Sequence, residues 1–150
     1  MIPFDVMTFK VVSTRLSETT ESRLQRLARR LGKTPSETGA MLIEESLRIQ
    51  EFAQIEFRNS SVGRQAYLKN SRLAVWQIVL LAEEYEGNFN LVAEHLQKPL
   101  SSVLAIVNYA KAYPEEINYA ISDARAIDYT TIEKLLPQAE LMTIPLDVVE

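Results

Sequence analysis

The residue types that carry most enzyme chemistry are sparse and scattered in this chain. His95 is its only histidine and cysteine is absent, so neither a thiol–imidazole pair nor a zinc site is expected. Gly32, Gly39, Gly63 and Gly87 lie far apart and form no phosphate-cradling loop. Glu83-Glu84 and Glu115-Glu116 are adjacent pairs, which diverge around a helix and read as solvated surface rather than acid/base partners. The expectation is therefore a protein with no catalytic residue, no metal ligand and no cofactor. The chemistry that does recur is chemistry for polyanions. Thr34 to Ser36 open a helix with Lys33 just before them, and free amides beside a cation suit a phosphate. Arg58, Arg64, Lys69 and Arg72 form a second basic group further along.

The overall charge of −4 hides a strong asymmetry. From Phe9 to Lys33, seven basic residues (Lys10, Arg15, Arg23, Arg26, Arg29, Arg30 and Lys33) face only Glu18 and Glu21, a local balance of +5. From Ala112 to Glu150, Arg125 and Lys134 face eight acidic residues, a local balance of −6. A basic contact surface at one end and an acidic interaction segment at the other fit this division, against the plainer reading of an unevenly solvated surface. No apolar run approaches the roughly 18 residues of a membrane span. Met1-Ile2-Pro3-Phe4-Asp5 lacks the order of a signal peptide, and the lack of cysteine suits a reducing compartment. A cytoplasmic protein without a membrane partner is expected.

The elements that must position these residues follow from local patterns. Thr8 to Leu16 is β-branched and aromatic, and reads as a strand. Ser17 suits an N-cap, Leu24, Leu27, Ala28 and Leu31 form one apolar stripe, and Gly32 sits where a left-handed cap is expected. Thr34-Pro35-Ser36-Glu37 is a capping box starting a second helix to about Phe52, with Ala40, Leu42, Ile43 and Leu47 on its apolar face. Ile55–Arg58 and Gln65–Leu68 alternate around Asn59-Ser60-Ser61-Val62-Gly63, predicting a β-hairpin with a loop longer than the tightest type. Helices then resume: one with Val75, Ile78, Val79 and Ala82 ending at Gly87, and one capped by Asn88. A third opens at Pro99 with Val103, Ile106 or Val107, and Ala110 buried; a fourth runs from Pro114 to roughly Ile127. Thr130 is read as capping a last turn before Pro137.

One strand and two helices leave both strand edges unpaired, and about 45 residues is too little for a separate core. A two-fold dimer answers both needs. Val11 to about Leu47 closely resembles the ribbon–helix–helix family, the MetJ/Arc and CopG-like regulators. The residues that carry the likeness are Val-Val-Ser-Thr-Arg-Leu-Ser-Glu, Leu24-x-x-Leu27-Ala28-x-x-Leu31-Gly32 and Thr34-Pro35-Ser36-Glu37. The resemblance implies paired strands in the major groove of double-stranded DNA. It also places Leu16 in the core, which turns Val12 and Thr14 inward. Val11, Ser13 and Arg15 then face base edges, and Lys33, Thr34 and Ser36 face phosphates. The family often has a polar or basic residue at the Val11 position and an aliphatic one at the Thr14 position.

Residues from about Ile55 to Ile121 resemble a small hairpin-plus-helices domain of unknown function found in VapB-type antitoxins. The carrying residues include Gly63-Arg64-Gln65-Ala66-Tyr67-Leu68, Leu73-Ala74-Val75-Trp76-Gln77-Ile78-Val79 and Tyr109-Ala110-Lys111-Ala112-Tyr113-Pro114-Glu115-Glu116-Ile117. The likeness implies a helix–turn–helix arrangement with the helix from Pro99 in the recognition position. That helix offers Ser101, Ser102, Ala105 and Asn108 outward, with no basic residue before Lys111. Arg58, Arg64, Ser101 and Ser102 are thus candidates for a second DNA contact, weighed evenly against a protein-binding role. Trp76 and the tyrosines read as core.

The expected fold is mainly α. A ribbon–helix–helix module spans 8–52, a hairpin plus helix–turn–helix-like domain 55–127, and a short helix with an acidic–apolar tail 128–150. The expected function is that of an antitoxin, a homodimer or higher even oligomer that represses its own operon and neutralises a PIN-like nuclease toxin. The alternatives are a stand-alone repressor and a dimeric adaptor. Leu141, Met142, Ile144 and Leu146 in the tail are the expected toxin contacts. The tail either orders on that partner or docks on the second module.

Overall fold

The structure is a computed structural model, and it describes residues 8–61, 63–126 and 134. The described chain is mainly helical, with one two-stranded antiparallel sheet. It divides into two units, Met1–Leu47 and Arg48–Glu150. The division falls inside a helix, not in the stretch after Phe52 where a module boundary is expected. Arg48, in the last turn of that helix, and Phe52, just after it, pack among residues of the second unit, which accounts for the earlier boundary.

In the first unit, α1 spans Glu18–Leu31 and α2 begins at Pro35 and runs to Glu51. Local chemistry sets both starts. The Ser17 side chain accepts a hydrogen bond from the Thr20 amide, and Gly32 closes α1 at φ 66°, a left-handed conformation that costs glycine nothing. The capping box forms reciprocally: the Glu37 amide donates to Thr34 Oγ1 at 3.1 Å, and the Thr34 amide donates to Glu37 Oε2 at 3.1 Å. Residues 8–17 carry no regular secondary structure in the single chain. The expected strand has no partner among the described residues of this unit, and a ladder needs a second strand.

The apolar stripes of this unit do not close on one another. Among its described residues Ala28 is the one buried hydrophobic residue, while Leu42, Ile43 and Leu47 are exposed and Leu24, Leu27 and Leu31 half-buried. The apolar face expected on α2 is thus open in the single chain. Two helices of this size cannot enclose a core by themselves.

In the second unit, β1 (Ile55–Ser60) pairs with β2 (Gly63–Leu68). The register brings Ser60 opposite Gly63, leaving a two-residue connection where a longer loop is expected. Asn59 and Ser60 extend the ladder, and Ser60 Oγ donates to the Gly63 carbonyl at 2.8 Å. Then follow α3 (Val75–Glu84), α4 (Phe89–Leu96), α5 (Leu100–Ala112) and α6 (Pro114–Ala126). Asn88 caps α4 by accepting from the Leu91 amide, and Gly87 turns the chain at φ 80°. The core collects Ile55, Ala66 and Leu68 from the sheet, Val75 and Ile78 from α3 and Val92 from α4. Val103, Ile106 and Tyr109 join it from α5, and Ile117 and Ile121 from α6.

At the edge of this core, buried Tyr109 joins two residues that reach the surface. Tyr109 is fully buried. Its hydroxyl donates to Glu116 Oε2 at 2.8 Å and accepts from Arg48 at 2.8 Å, while Arg48 also meets Glu116 Oε1 at 2.9 Å. The Arg48 guanidinium lies 3.7 Å from the centre of the Tyr113 ring, and Phe52 meets the Tyr109 ring edge-on at 5.3 Å. Burial, then the Glu116 carboxylate, push the Tyr109 phenol well above its ordinary range, against the lowering effect of Arg48.

Candidate nucleic-acid interface

The basic stretch of the sequence becomes one surface of the first unit. Lys10, Arg23, Arg26, Arg29 and Arg30 line an open groove of about 1810 Å³, together with Val11, Val12, Ser13, Thr14 and Leu16. The first turns of α2, including Ser36, complete it. Small-molecule pockets typically enclose about 300–1,000 Å³, so a feature this large and open suits a macromolecular surface.

Both faces of the residue 8–17 segment are solvated. Val11 is 93% exposed and Val12 87%, and Ser13, Thr14 and Arg15 are exposed as well. Leu16, expected in the core, is 47% exposed. The single chain therefore leaves the expected inward and outward sets equally accessible. Val11, Ser13 and Ser36 share the groove.

At the head of α2, Lys33, Thr34 and Ser36 are all exposed. The capping box engages Thr34 through both its amide and its hydroxyl. Pro35 has no amide hydrogen, and the Glu37 amide is held by Thr34, so Ser36 carries the remaining first-turn donor. The Ser36 amide is the donor this turn leaves open, while the Glu37 carboxylate occupies the Thr34 amide.

The second set of expected contacts is dispersed. Arg58 on β1 pairs with Glu56 of the same strand and lies over the Tyr67 ring, 5.0 Å from its centre. Arg64 on β2 donates to Asn59 Oδ1 at 3.2 Å. Ser101 is exposed at the start of α5. Ser102 is buried, contrary to its expected outward position, and its hydroxyl donates to Gln54 Oε1 at 2.6 Å. It shares the inner side of α5 with Val103 and Ile106, so the polar side chain is held inside by a partner 48 residues away. The outward side of α5 instead exposes Leu100 and Leu104.

Trp76 is half-buried and donates to Gln65 Oε1 at 3.4 Å. His95 accepts or donates through Nδ1 to the Tyr85 hydroxyl at 2.8 Å. Among the described residues no group of three or more His, Cys, Asp or Glu could hold a metal ion, and no helix is long and apolar enough to cross a membrane. Leu141, Met142, Ile144 and Leu146 lie outside the described residues, as do Thr130 and Pro137. The groove-lining arginines of α1 were not assigned specific contacts by sequence reasoning. Their spacing of three and four around one helix was the available signal. No family model, no curated protein and no solved structure matches the chain.

Proposed function

We propose that this chain is a homodimeric, ribbon–helix–helix DNA-binding antitoxin that represses its own operon and neutralises a nuclease toxin. The observation that carries the DNA-binding half is the first unit's surface. An unpaired, β-branched segment with both faces solvated adjoins two capped helices, with Leu42, Ile43 and Leu47 of α2 exposed and the leucines of α1 half-buried. A second copy supplies the missing strand edge and the missing half of the core, which no element among the described residues of this unit does. The local balance of +5 then lies beside the paired strands, where the phosphate backbone dominates affinity. The antitoxin half rests on the resemblance of the second module and on the acidic–apolar end of the chain.

Titration of operator DNA separates base readout from backbone attraction. Arg15→Ala is expected to lose about 1–3 kcal/mol on the cognate site and to relax sequence preference. Lys33→Ala is expected to weaken all sites about equally and to reduce the salt slope by about one. Unchanged operator affinity in Arg15→Ala would overturn the strand register, and make Lys10 and Thr14 the readers. Co-expression addresses the other half. The chain is expected to restore growth to cells producing a small nuclease encoded beside it, and failure to do so leaves the stand-alone repressor.

Exposed leucines on α5 favour a protein contact for the second module over a second DNA contact. A groove-entering helix normally presents cations, whereas this one presents Leu100 and Leu104 beside Ser101 and Asn108, with no basic residue before Lys111.

A further inference from the structure

Helix α5 carries two apolar stripes, and the fold uses one. Val103, Ile106 and Tyr109 are buried, whereas Leu100 is 38% and Leu104 45% exposed. Leu100, Leu104 and Lys111 follow the spacing i, i+4, i+11 and lie along one side of the helix over about 17 Å, with Val107 between them half-buried against the core. Leu91, also exposed, sits on α4, the helix packed against α5. Lys98 and Lys111 bracket this stretch, and no acidic residue occurs between them; the nearest, Glu94 and Glu115, belong to the neighbouring helices.

We infer that this stripe is the docking site of the chain's own C-terminal segment, Glu140 to Glu150. The argument is one of complementarity and reach. In an extended segment, Met142, Ile144, Leu146 and Val148 fall on one face and span about 20 Å, close to the length of the stripe. Glu140 and Glu150 flank those apolar residues, as Lys98 and Lys111 flank the leucines. Burial of the leucines against them removes apolar surface from water, and the end charges set direction. Reach is not limiting: Arg125, near the end of α6, pairs with Glu83 at the end of α3 at 3.6 Å, a few residues before α4 begins. The stretch from 127 to 139 can extend about 40 Å from there. This inference is independent of the DNA-binding reading.

Hydrogen exchange on the full chain tests it. Amides of residues 141–149 are expected to be protected, and Leu104→Asp is expected to lower that protection about tenfold or more. Leu100→Asp and Lys111→Glu act in the same direction. All three positions are already solvated, and circular dichroism checks that the helices persist. Unprotected amides in the native chain overturn the inference, as does protection indifferent to the α5 variants. An equal loss from Tyr119→Asp on α6 overturns the assignment to α5. Protection that disappears on dilution makes another copy the donor of the segment, and overturns docking within the chain.

Discussion

Tyr109→Ala is expected to destabilise the second unit by about 3–5 kcal/mol, the cost of emptying a core aromatic site. The side chain is fully buried and meets Phe52, Phe57 and Tyr113 through its ring. Its removal also strips Arg48 and Glu116 of a shared partner. Tyr109→Phe separates the two contributions. The phenylalanine keeps the ring contacts, and Arg48 and Glu116 remain paired at 2.9 Å, so a loss of about 1–3 kcal/mol isolates the hydroxyl. The pH dependence has a definite sign. The folded state raises the pKa of Tyr109 above its ordinary 10.0, so it favours the neutral phenol. The stabilisation is complete below that ordinary value and is lost as the pH rises above it, because the unfolded chain ionises first. Chemical denaturation of the native and Phe variants at neutral and strongly alkaline pH reads this directly. A Phe variant with the same alkaline decline as the native chain would show that another group titrates.

That network illustrates what the sequence concealed. Arg48, Tyr109 and Glu116 lie 61 and 68 residues apart along the chain, and no local pattern announces that they meet. Helix starts were legible for the opposite reason. Ser17, Asn88 and the pair Thr34 and Glu37 satisfy amides three residues away, so the chemistry is written within one turn. Ser102 defeated the same reasoning because Gln54, which holds it, belongs to a distant segment. Alternation in Ile55–Arg58 and Gln65–Leu68 marks the hairpin, whereas the turn-prone Asn59-Ser60-Ser61-Val62-Gly63 suggests a longer connection than the structure has. Asn59 and Ser60 are turn-prone by type, but here cross-strand pairing to Arg64 and Gly63 overrides that preference. At the candidate interface, charge and capping were visible in sequence. The inward and outward sides of Thr8 to Leu16 were not, because a strand acquires sides only when something pairs with it.

The same segment supports the sharpest distinction between a monomer and a dimer. In the single chain Val12 is 87% exposed and residues 8–17 have no ladder. A proline there would change stability by no more than about 0.5 kcal/mol, as at most surface sites. In a dimeric ribbon the result differs. Proline removes an amide donor, and a symmetric assembly carries the lesion in both strands. Alternate residues of an antiparallel pair make the ladder bonds, so either Val12 or Ser13 must donate across the ribbon. Val12→Pro and Ser13→Pro are therefore a matched pair of variants. At least one is expected to cost about 3 kcal/mol or more and to dissociate or unfold the first unit. The helical core of the second unit, built from its own residues, is expected to persist. Sedimentation at micromolar concentration supplies the readout, with a dimer for the native chain and a monomer for the damaging variant. A folded native monomer under those conditions would remove the shared core, and with it the paired strands on which the DNA-binding reading depends.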